Sequence, residues 1–71
     1  MPSTAIRSYR YDPDSCKLQV SFLSAPAVAY VYVDVPQAYY LGLALARSKG
    51  GYVNRVIKPR FRCLRLAALA G

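Results

Sequence analysis

The stretch Tyr30–Pro36, with the sequence YVYVDVP, decides how this chain folds because two residue types alternate in it before a proline. Successive side chains of a β-strand point to opposite faces, so Tyr30 and Tyr32 share one face while Val31 and Val33 share the other. The fold depends on which face is buried. The sequence does not determine the register, and a shift of one residue reverses the assignment.

Two more strands are predicted before this stretch, over residues 5–11 and 17–23, and the third strand covers residues 28–33. The first connection, Asp12–Ser15, is rich in turn formers, and an aspartate followed by proline favours a type I turn. The second connection, 24–27, is also short. Short connections join antiparallel neighbours, so the sequence predicts a three-stranded antiparallel meander.

Alternation in the second strand assigns its faces. Leu18, Val20 and Phe22 are apolar, and the residues between them are polar, so these three side chains are expected to face the core. Alignment of the third strand by the same pattern places the two valines with the core and the two tyrosines on the polar face. A buried tyrosine face remains the alternative, because tyrosine is intermediate in burial and its hydroxyl needs a partner when buried.

A helix is predicted from Pro36 to Arg47, ended by Gly50 or Gly51. Its apolar residues surround nearly the whole helix, so both the sheet and either the chain's tail or a partner are expected to cover it. Residues 52–58 form either a helical turn or a fourth strand.

The predicted fold class is therefore α+β: a small three-stranded antiparallel meander with a packed helix, a short fourth element and a basic C-terminal tail. Residues 1–62 are expected to form a single domain, because 71 residues leave room for only one core. Residues 63–71 are expected to form a C-terminal tail or a short helix.

The composition argues against catalysis and metal binding. The chain has no histidine and no glutamate, and its acidic residues are three aspartates, so no side chain is placed to activate a serine or cysteine nucleophile. Two cysteines without histidine cannot form a tetrahedral zinc site. We therefore expect no enzymatic activity, no metal or other cofactor, and no small-molecule substrate.

The sequence also argues against a membrane location. It contains no apolar run of about 18 residues, and its beginning lacks the apolar segment of a signal peptide. We expect a cytoplasmic protein, in a bacterium or in an infected host cell, with free thiols at Cys16 and Cys63.

The charge is concentrated in the last third of the chain. The formal net charge is +7, no acidic residue follows Asp34, and seven cations lie close together after it: Arg47, Lys49, Arg55, Lys58, Arg60, Arg62 and Arg65. Basic groups interleaved with aromatic rings suit phosphate neutralisation and base stacking. The candidate contact residues for nucleic acid or a partner are these seven together with Tyr30, Tyr32, Tyr52 and Asn54.

Two segments carry a resemblance to a known family. The pattern Tyr30-x-Tyr32 and the segment Ser48-Lys49-Gly50-x-Tyr52-x-Asn54 resemble the KTSC domain, which is found at the carboxyl terminus of some lysyl-tRNA synthetases and in small bacterial and phage proteins. The resemblance covers residues 3 to about 62. It implies a small α+β domain with a proposed role in RNA binding, and Tyr30, Tyr32, Ser48, Gly50, Tyr52 and Asn54 match the family's signature.

We interpret the chain as a small, basic, non-catalytic adaptor that docks on a nucleic-acid-handling machine. One candidate is a phage-type regulator of host RNA polymerase and transcription, with the basic C-terminal segment near RNA. The alternative is a module that binds tRNA or single-stranded RNA directly, without a protein partner. In either case the expected partners are nucleic acid, RNA in preference to DNA, or an acidic protein surface such as that of RNA polymerase.

Overall fold

The computed structural model describes residues 5–67, and within them the chain forms a four-stranded antiparallel sheet with helical segments on one side. The strands are β1 (Ile6–Asp12), β2 (Lys17–Phe22), β3 (Ala25–Tyr32) and β4 (Cys63–Ala67), and they pair in that order. The helical segments are α1 (Gln37–Leu45), α2 (Lys49–Tyr52) and a π-helix (Val53–Ile57) directly after α2. The expected α+β class, with a meander and a packed helix, is confirmed.

The β1–β2 connection forms as the sequence predicts. The carboxylate of Asp12 accepts hydrogen bonds from the Asp14 backbone nitrogen at 3.0 Å and from the Ser15 hydroxyl at 2.8 Å, which closes the turn. Cys16 then adopts a left-handed φ of 57° before β2 begins. Its carbonyl accepts a hydrogen bond of 2.8 Å from Val35, so this turn is joined to the segment that leads into α1.

The observed register of β3 overturns the assignment of the tyrosines to the polar face. Tyr30 lies opposite Val20, and Tyr32 lies opposite Leu18. Paired residues project to the same face, so the tyrosines join the core residues of β2. Val31 instead pairs with Gln19, on the opposite face. We call the side that carries these tyrosines the inner face and the other side the outer face.

The valines therefore do not form the core face as the pattern suggested. Val31 is only 9% exposed, yet it lies outside the main core cluster. The physical reason is the register: β3 begins at Ala25 rather than Val28, and its pairing with β2 is irregular between Val20 and Phe22. An irregularity of this kind changes which residues face the core.

The inner face packs against the helical segments. The core cluster combines sheet residues with helical ones: Leu18, Val20, Tyr32, Val35, Leu43, Val53 and Ile57. Aromatic rings extend this core, since Tyr11 stacks on Tyr40 at 4.8 Å between centroids, and Tyr39 meets Phe61 edge-on at 5.1 Å. The outer face has no helical layer over it among the described residues.

The predicted helix forms, but it ends two residues before Arg47, and the glycines expected to end it do not do so. α1 ends at Leu45 because the backbone of Ala46 is extended, with ψ near 141°. The two glycines do not end it; they lie inside α2, which Ser48 caps by accepting a hydrogen bond from the Gly51 nitrogen at 3.2 Å. The helical alternative for residues 52–58 is confirmed, as the π-helix.

The C-terminal segment also differs from the prediction of a tail or short helix. Residues 63–67 form β4, an edge strand whose Cys63 and Arg65 lie opposite Tyr32 and Tyr30 of β3. Pairing with β3 satisfies the backbone groups on one side of this strand, and the mixture of arginines and leucines did not reveal this pairing. The part of the prediction that concerns residues 68–71 lies outside the described residues.

Candidate nucleic-acid interface

The sheet and the π-helix border a cleft of about 350 Å³ on the inner side of β3 and β4. We call it the β3–β4 cleft. Its lining combines aromatic, amide and basic side chains: Phe22, Tyr30, Tyr32, Asn54, Lys58, Cys63 and Arg65. Strand pairing places Tyr30 beside Arg65, and the π-helix supplies Asn54 and, at its end, Lys58.

The aromatic wall of the cleft is formed by Tyr30 and Phe22. Their ring centroids lie 5.4 Å apart in an edge-to-face arrangement, and the Arg65 guanidinium carbon lies 5.9 Å from the centre of the Tyr30 ring. A guanidinium at this distance is attracted to the electron-rich ring face. The wall therefore offers a partly exposed aromatic surface with a cation beside it.

Tyr32 has a different role from Tyr30. It is only 3% exposed and belongs to the core cluster. Burial, with the neighbouring Cys63 side chain adding to the effect, raises the pKa of Tyr32 to about 12. A neutral, buried tyrosine forms the floor of the cleft and cannot serve as an open stacking platform.

The thiol of Cys63 is also kept protonated. Although the residue as a whole is exposed, partial burial of its side chain raises the pKa of Cys63 above the ordinary thiol value, against the opposing effects of Tyr32 and Arg65. The thiolate is the reactive form of cysteine, so this environment disfavours nucleophilic chemistry in the cleft.

The two cations of the cleft come from different elements. Lys58 caps the π-helix, and Arg65 lies in the middle of β4; both side chains are exposed. They face a cleft that contains no carboxylate among its lining residues. Two cations beside an aromatic edge and an amide provide the contacts that a phosphate and a nucleobase require.

The structure divides the other candidate cations between two neighbouring surfaces. Arg60 and Arg62 border a smaller hollow with Val33, Asp34 and Phe61. The Arg60 guanidinium also donates to the Val56 carbonyl at 3.3 Å, which fixes it against the π-helix. Asp34, in a left-handed conformation, is the acidic residue that lines this hollow.

Arg47 and Lys49 lie at the start of α2, in a hollow that Ile6 and Gly50 also line. The Lys49 ammonium donates to the Ala46 carbonyl at 3.2 Å, so it also neutralises the end of α1. A Cβ atom added to Gly51 would lie 3.3 Å from the Arg55 guanidinium, which places Arg55 against the first turn of α2. The predicted basic segment is thus three surfaces, of which one combines cations with Tyr30.

The described part of the chain contains no cluster of metal-ligating side chains and no membrane-spanning helix. Within residues 5–67, no three cysteines or acidic residues lie close enough together to hold a metal ion. None of the helices within those residues has the length and hydropathy needed to cross a membrane.

Comparison with known proteins identifies the family. The family model described as the KTSC domain matches residues 2–61, which is most of the chain. The chain belongs to the KTSC domain family. A protein of Tsukamurella paurometabola is 38% identical over 64 residues, covering 90% of this chain and 92% of that protein. The crystal structure of a KTSC domain protein from Yersinia pestis matches with a TM-score of 0.81 and 33% identity, covering 94% of this chain and 92% of the other.

Several of the residues that carry the resemblance to the KTSC domain maintain the fold in this structure. Ser48 caps α2, and the buried Gly50 lies in the first turn of that helix. Tyr52 packs on Gly42 of α1 so closely that a Cβ at Gly42 would lie 2.9 Å from the ring carbon that carries the hydroxyl. Ser48 and Tyr52 therefore join α2 to its surroundings. Tyr52, a candidate contact residue, is not part of the cleft.

Within the segment Ser48–Asn54, the residue that reaches the cleft is Asn54. It is exposed on the π-helix and faces the space beside Lys58 and Arg65. The extra residue in a π-helical turn changes the direction of neighbouring side chains, and such turns are frequent at functional sites. Among the residues of the segment Ser48–Asn54, Asn54 is thus the side chain best placed to contact a ligand.

Two residues of the cleft were missed by sequence reasoning. Phe22 ends the apolar alternation of β2, and this alternation predicted its core-facing side chain, but its contact with Tyr30 depends on the irregular register of β3. Cys63 could not have been found in this way, because its position depends on the pairing of β4 with β3. The KTSC family match itself ends at residue 61, before this strand begins.

Proposed function

We propose that this KTSC protein is a small non-catalytic module that holds single-stranded RNA in the β3–β4 cleft. The observation that supports this function best is the convergence of Lys58, Arg65 and Asn54 around the partly exposed ring of Tyr30. In this arrangement the two cations contact phosphates, and the Phe22–Tyr30 wall contacts a base. The Asn54 amide, which can donate and accept, pairs with a base edge or a ribose hydroxyl.

The remaining cations extend the binding surface beyond the cleft. Arg60 and Arg62 continue it beyond the π-helix, and Arg47, Lys49 and Arg55 provide a second basic surface around α2. With a net charge of +7, the whole molecule attracts a polyanion before any specific contact forms. This proposal includes no cofactor and no catalytic step, and it places the protein in the cytoplasm of a bacterium or of an infected host cell.

Salt dependence tests the proposal. Fluorescence anisotropy with a labelled uridine oligomer should give a logarithmic plot of affinity against salt with a slope of roughly −3 to −4, if four to six cations contact phosphates. The double variant Lys58→Gln/Arg65→Gln should flatten this slope by about 1.4, at about 0.7 per contact on a single strand. A slope near zero for the unmodified protein would exclude direct RNA binding.

A matched control separates the cleft from net charge. The double variant Arg10→Gln/Lys17→Gln removes the same two charges from residues that line a hollow on the outer face. If the cleft binds the RNA, this control keeps a slope close to that of the unmodified protein. An equal flattening of the salt slope in both double variants would mean that total charge, rather than the cleft, governs RNA binding.

A second candidate function is docking on RNA polymerase as a phage-type regulator of transcription. The observation in favour is the apolar surface of α1, where Leu41 is 50% exposed and Leu45 is 86% exposed, close to the exposed Arg47. Exposed leucines beside a cation suit an acidic protein groove, where apolar contacts give affinity and charge guides the encounter.

Purified bacterial RNA polymerase, treated with nuclease, tests this second function directly. The protein should co-sediment with the enzyme, and the double variant Leu41→Ser/Leu45→Ser should lose the association while keeping its circular dichroism spectrum. Absence of co-sedimentation after nuclease treatment would eliminate polymerase docking and leave RNA binding as the function.

A further inference from the structure

The outer face of the sheet has an apolar strip. Leu64 lies opposite Val31, and Leu66 lies opposite Ala29, so the two leucines of β4 project to the same side. They are 46% and 54% exposed. Large apolar side chains grouped on one surface are a typical feature of interaction surfaces, whereas isolated ones are common everywhere.

The strip borders a hollow of about 340 Å³ that crosses the sheet. Its apolar side is formed by Val31, Leu64 and Leu66. The polar side, on β1, β2 and the turn between them, is formed by Arg10, Asp12, Ser15, Lys17 and Gln19. Unlike the β3–β4 cleft, this hollow contains no aromatic side chain among its lining residues. Its chemistry is therefore that of an aliphatic groove with a basic rim, unsuited to base stacking.

The charge of the rim is positive. Asp12 pairs with Lys17 across the strands and compensates part of its charge. The Asp12 carboxylate already accepts hydrogen bonds from Ser15 and Asp14, which together lower its pKa below the ordinary value. Arg10, which pairs with Gln19, adds a further positive charge to this rim.

We propose that the outer face binds an acidic protein segment that carries at least two large apolar side chains. The apolar side chains cover Leu64 and Leu66, and the carboxylates lie near Arg10 and Lys17. Charge complementarity selects this occupant: a second copy of the chain would bring two bodies of charge +7 together, and nucleic acid has no large aliphatic side chains to match the leucines. The proposal does not depend on RNA binding in the β3–β4 cleft.

The probe is a fluorescein-labelled peptide that alternates aspartate with leucine, and the control peptide has every leucine replaced by serine at equal charge. Without RNA, the leucine peptide should bind at least about tenfold more tightly than the serine peptide, which corresponds to about 1.4 kcal/mol. Equal affinity for the two peptides would show that charge alone attracts them and would overturn the proposal.

Variants locate the peptide. Leu64→Ser/Leu66→Ser should abolish the difference in affinity between the two peptides. Arg10→Gln/Lys17→Gln should weaken binding of the leucine peptide at least about fivefold, because both variants remove contacts of the same groove. Lys58→Gln/Arg65→Gln loses the same charge from the inner face, and its affinity for the leucine peptide should stay within about twofold of that of the unmodified protein. A larger effect from this inner-face pair would place the peptide in the β3–β4 cleft and overturn the proposal.

Two measurements keep the test decisive. If Leu64→Ser/Leu66→Ser does not show the circular dichroism spectrum of the folded protein, the outcome is decided by comparing Arg10→Gln/Lys17→Gln with Lys58→Gln/Arg65→Gln. Both of these charge variants keep the two leucines. Sedimentation equilibrium tests the second-copy occupant: the protein should be monomeric. A dimer that Leu64→Ser/Leu66→Ser dissociates would assign the strip to self-association and contradict the proposal.

Discussion

The two faces of the sheet differ in the kind of apolar side chain they carry. The inner face has Tyr30 and Tyr32 beside Leu18 and Val20, under the helical layer, whereas the outer face has Val31 between Gln19 and Leu64. Valine is the more often buried residue, yet here the tyrosines face the helices. The comparison teaches that strand register and the position of the helical layer decide which side chains join the main core, and that hydrophobicity alone does not.

Tyrosine suits the inner face because its ring fills the distance between the sheet and the helices while its hydroxyl reaches a polar group. Tyr11 shows this: its ring stacks on Tyr40, and its hydroxyl donates to the Val35 carbonyl at 2.6 Å. A valine at this position would reach neither. The inner face therefore combines packing with a hydrogen bond to the segment before α1.

The largest effect is expected at Tyr32. Tyr32→Ala should lower the free energy of unfolding by about 3–5 kcal/mol, as truncation of a buried aromatic does. Val31 is the neighbouring residue on the outer face. Val31→Ala should lower the free energy of unfolding by about 1.5 kcal/mol or less, since it removes two methyl groups without opening the main core. Urea denaturation measures both. A greater loss at Val31 than at Tyr32 would reverse the assignment of the faces.

The loss of stability at alkaline pH provides the next test. The pKa of Tyr32 is raised to about 12 in the fold, against about 10 in the unfolded chain, so its stabilising contribution is complete below pH 10 and is lost as the pH rises toward 12. The loss is bounded at about 2–3 kcal/mol, and partial solvent access lowers it.

Urea denaturation at several pH values measures this contribution as the difference between the unmodified protein and Tyr32→Phe. The unmodified protein should lose more stability than the variant between pH 10 and 12. Tyr30→Phe, on the same face and half-buried, serves as the control. Parallel pH curves for the unmodified protein and Tyr32→Phe would show that Tyr32 is not buried in the fold.

A smaller loss is expected where α1 meets α2. Gly42→Ala should destabilise the protein by about 1–2 kcal/mol, because the added methyl overlaps the Tyr52 hydroxyl and the clash exceeds the gain in helix propensity. Removal of that hydroxyl in Gly42→Ala/Tyr52→Phe should restore part of the stability. Leu45 lies in the same helix but is exposed, so Leu45→Ala should change the free energy of unfolding by no more than about 0.5 kcal/mol. A stabilising Gly42→Ala would contradict the close packing of Tyr52.

The smallest effect concerns the hydroxyl of Tyr11. Tyr11→Phe removes its hydrogen bond to Val35 but leaves the ring stack intact, so the loss should be about 1 kcal/mol. Tyr9→Phe is the matched control on the same strand and face, since its hydroxyl has no hydrogen bond among residues 5–67. Thermal denaturation compares the two variants, and equal melting temperatures would show that the Tyr11 bond contributes nothing.

The fold was largely predictable from local patterns. The alternation of Leu18 with Val20, the turn at Asp12 and the helix after Pro36 all depend on interactions between residues that are near in sequence. The faces of β3 were not predictable because they depend on an irregular register. β4 was missed because its strand forms only by pairing with a segment more than thirty residues away.

The candidate site was predictable in composition but not in arrangement. Tyr30, Asn54, Lys58 and Arg65 were all candidates from charge and family resemblance, and the structure brings these four together. Their convergence depends on β4 and on the π-helix, neither of which has a clear local signal. For the same reason the sequence could not separate these residues from Arg47 and Lys49, which lie on another surface.

The measurement that tests the central claim most directly is an amide chemical-shift map recorded while a uridine oligomer is added at low salt. If the β3–β4 cleft binds single-stranded RNA, the largest shifts will be at Tyr30, Asn54, Lys58 and Arg65, and the outer-face residues Arg10 and Gln19 will change little. Shifts centred on the outer face, or no shifts at an RNA concentration well above that of the protein, would contradict the account.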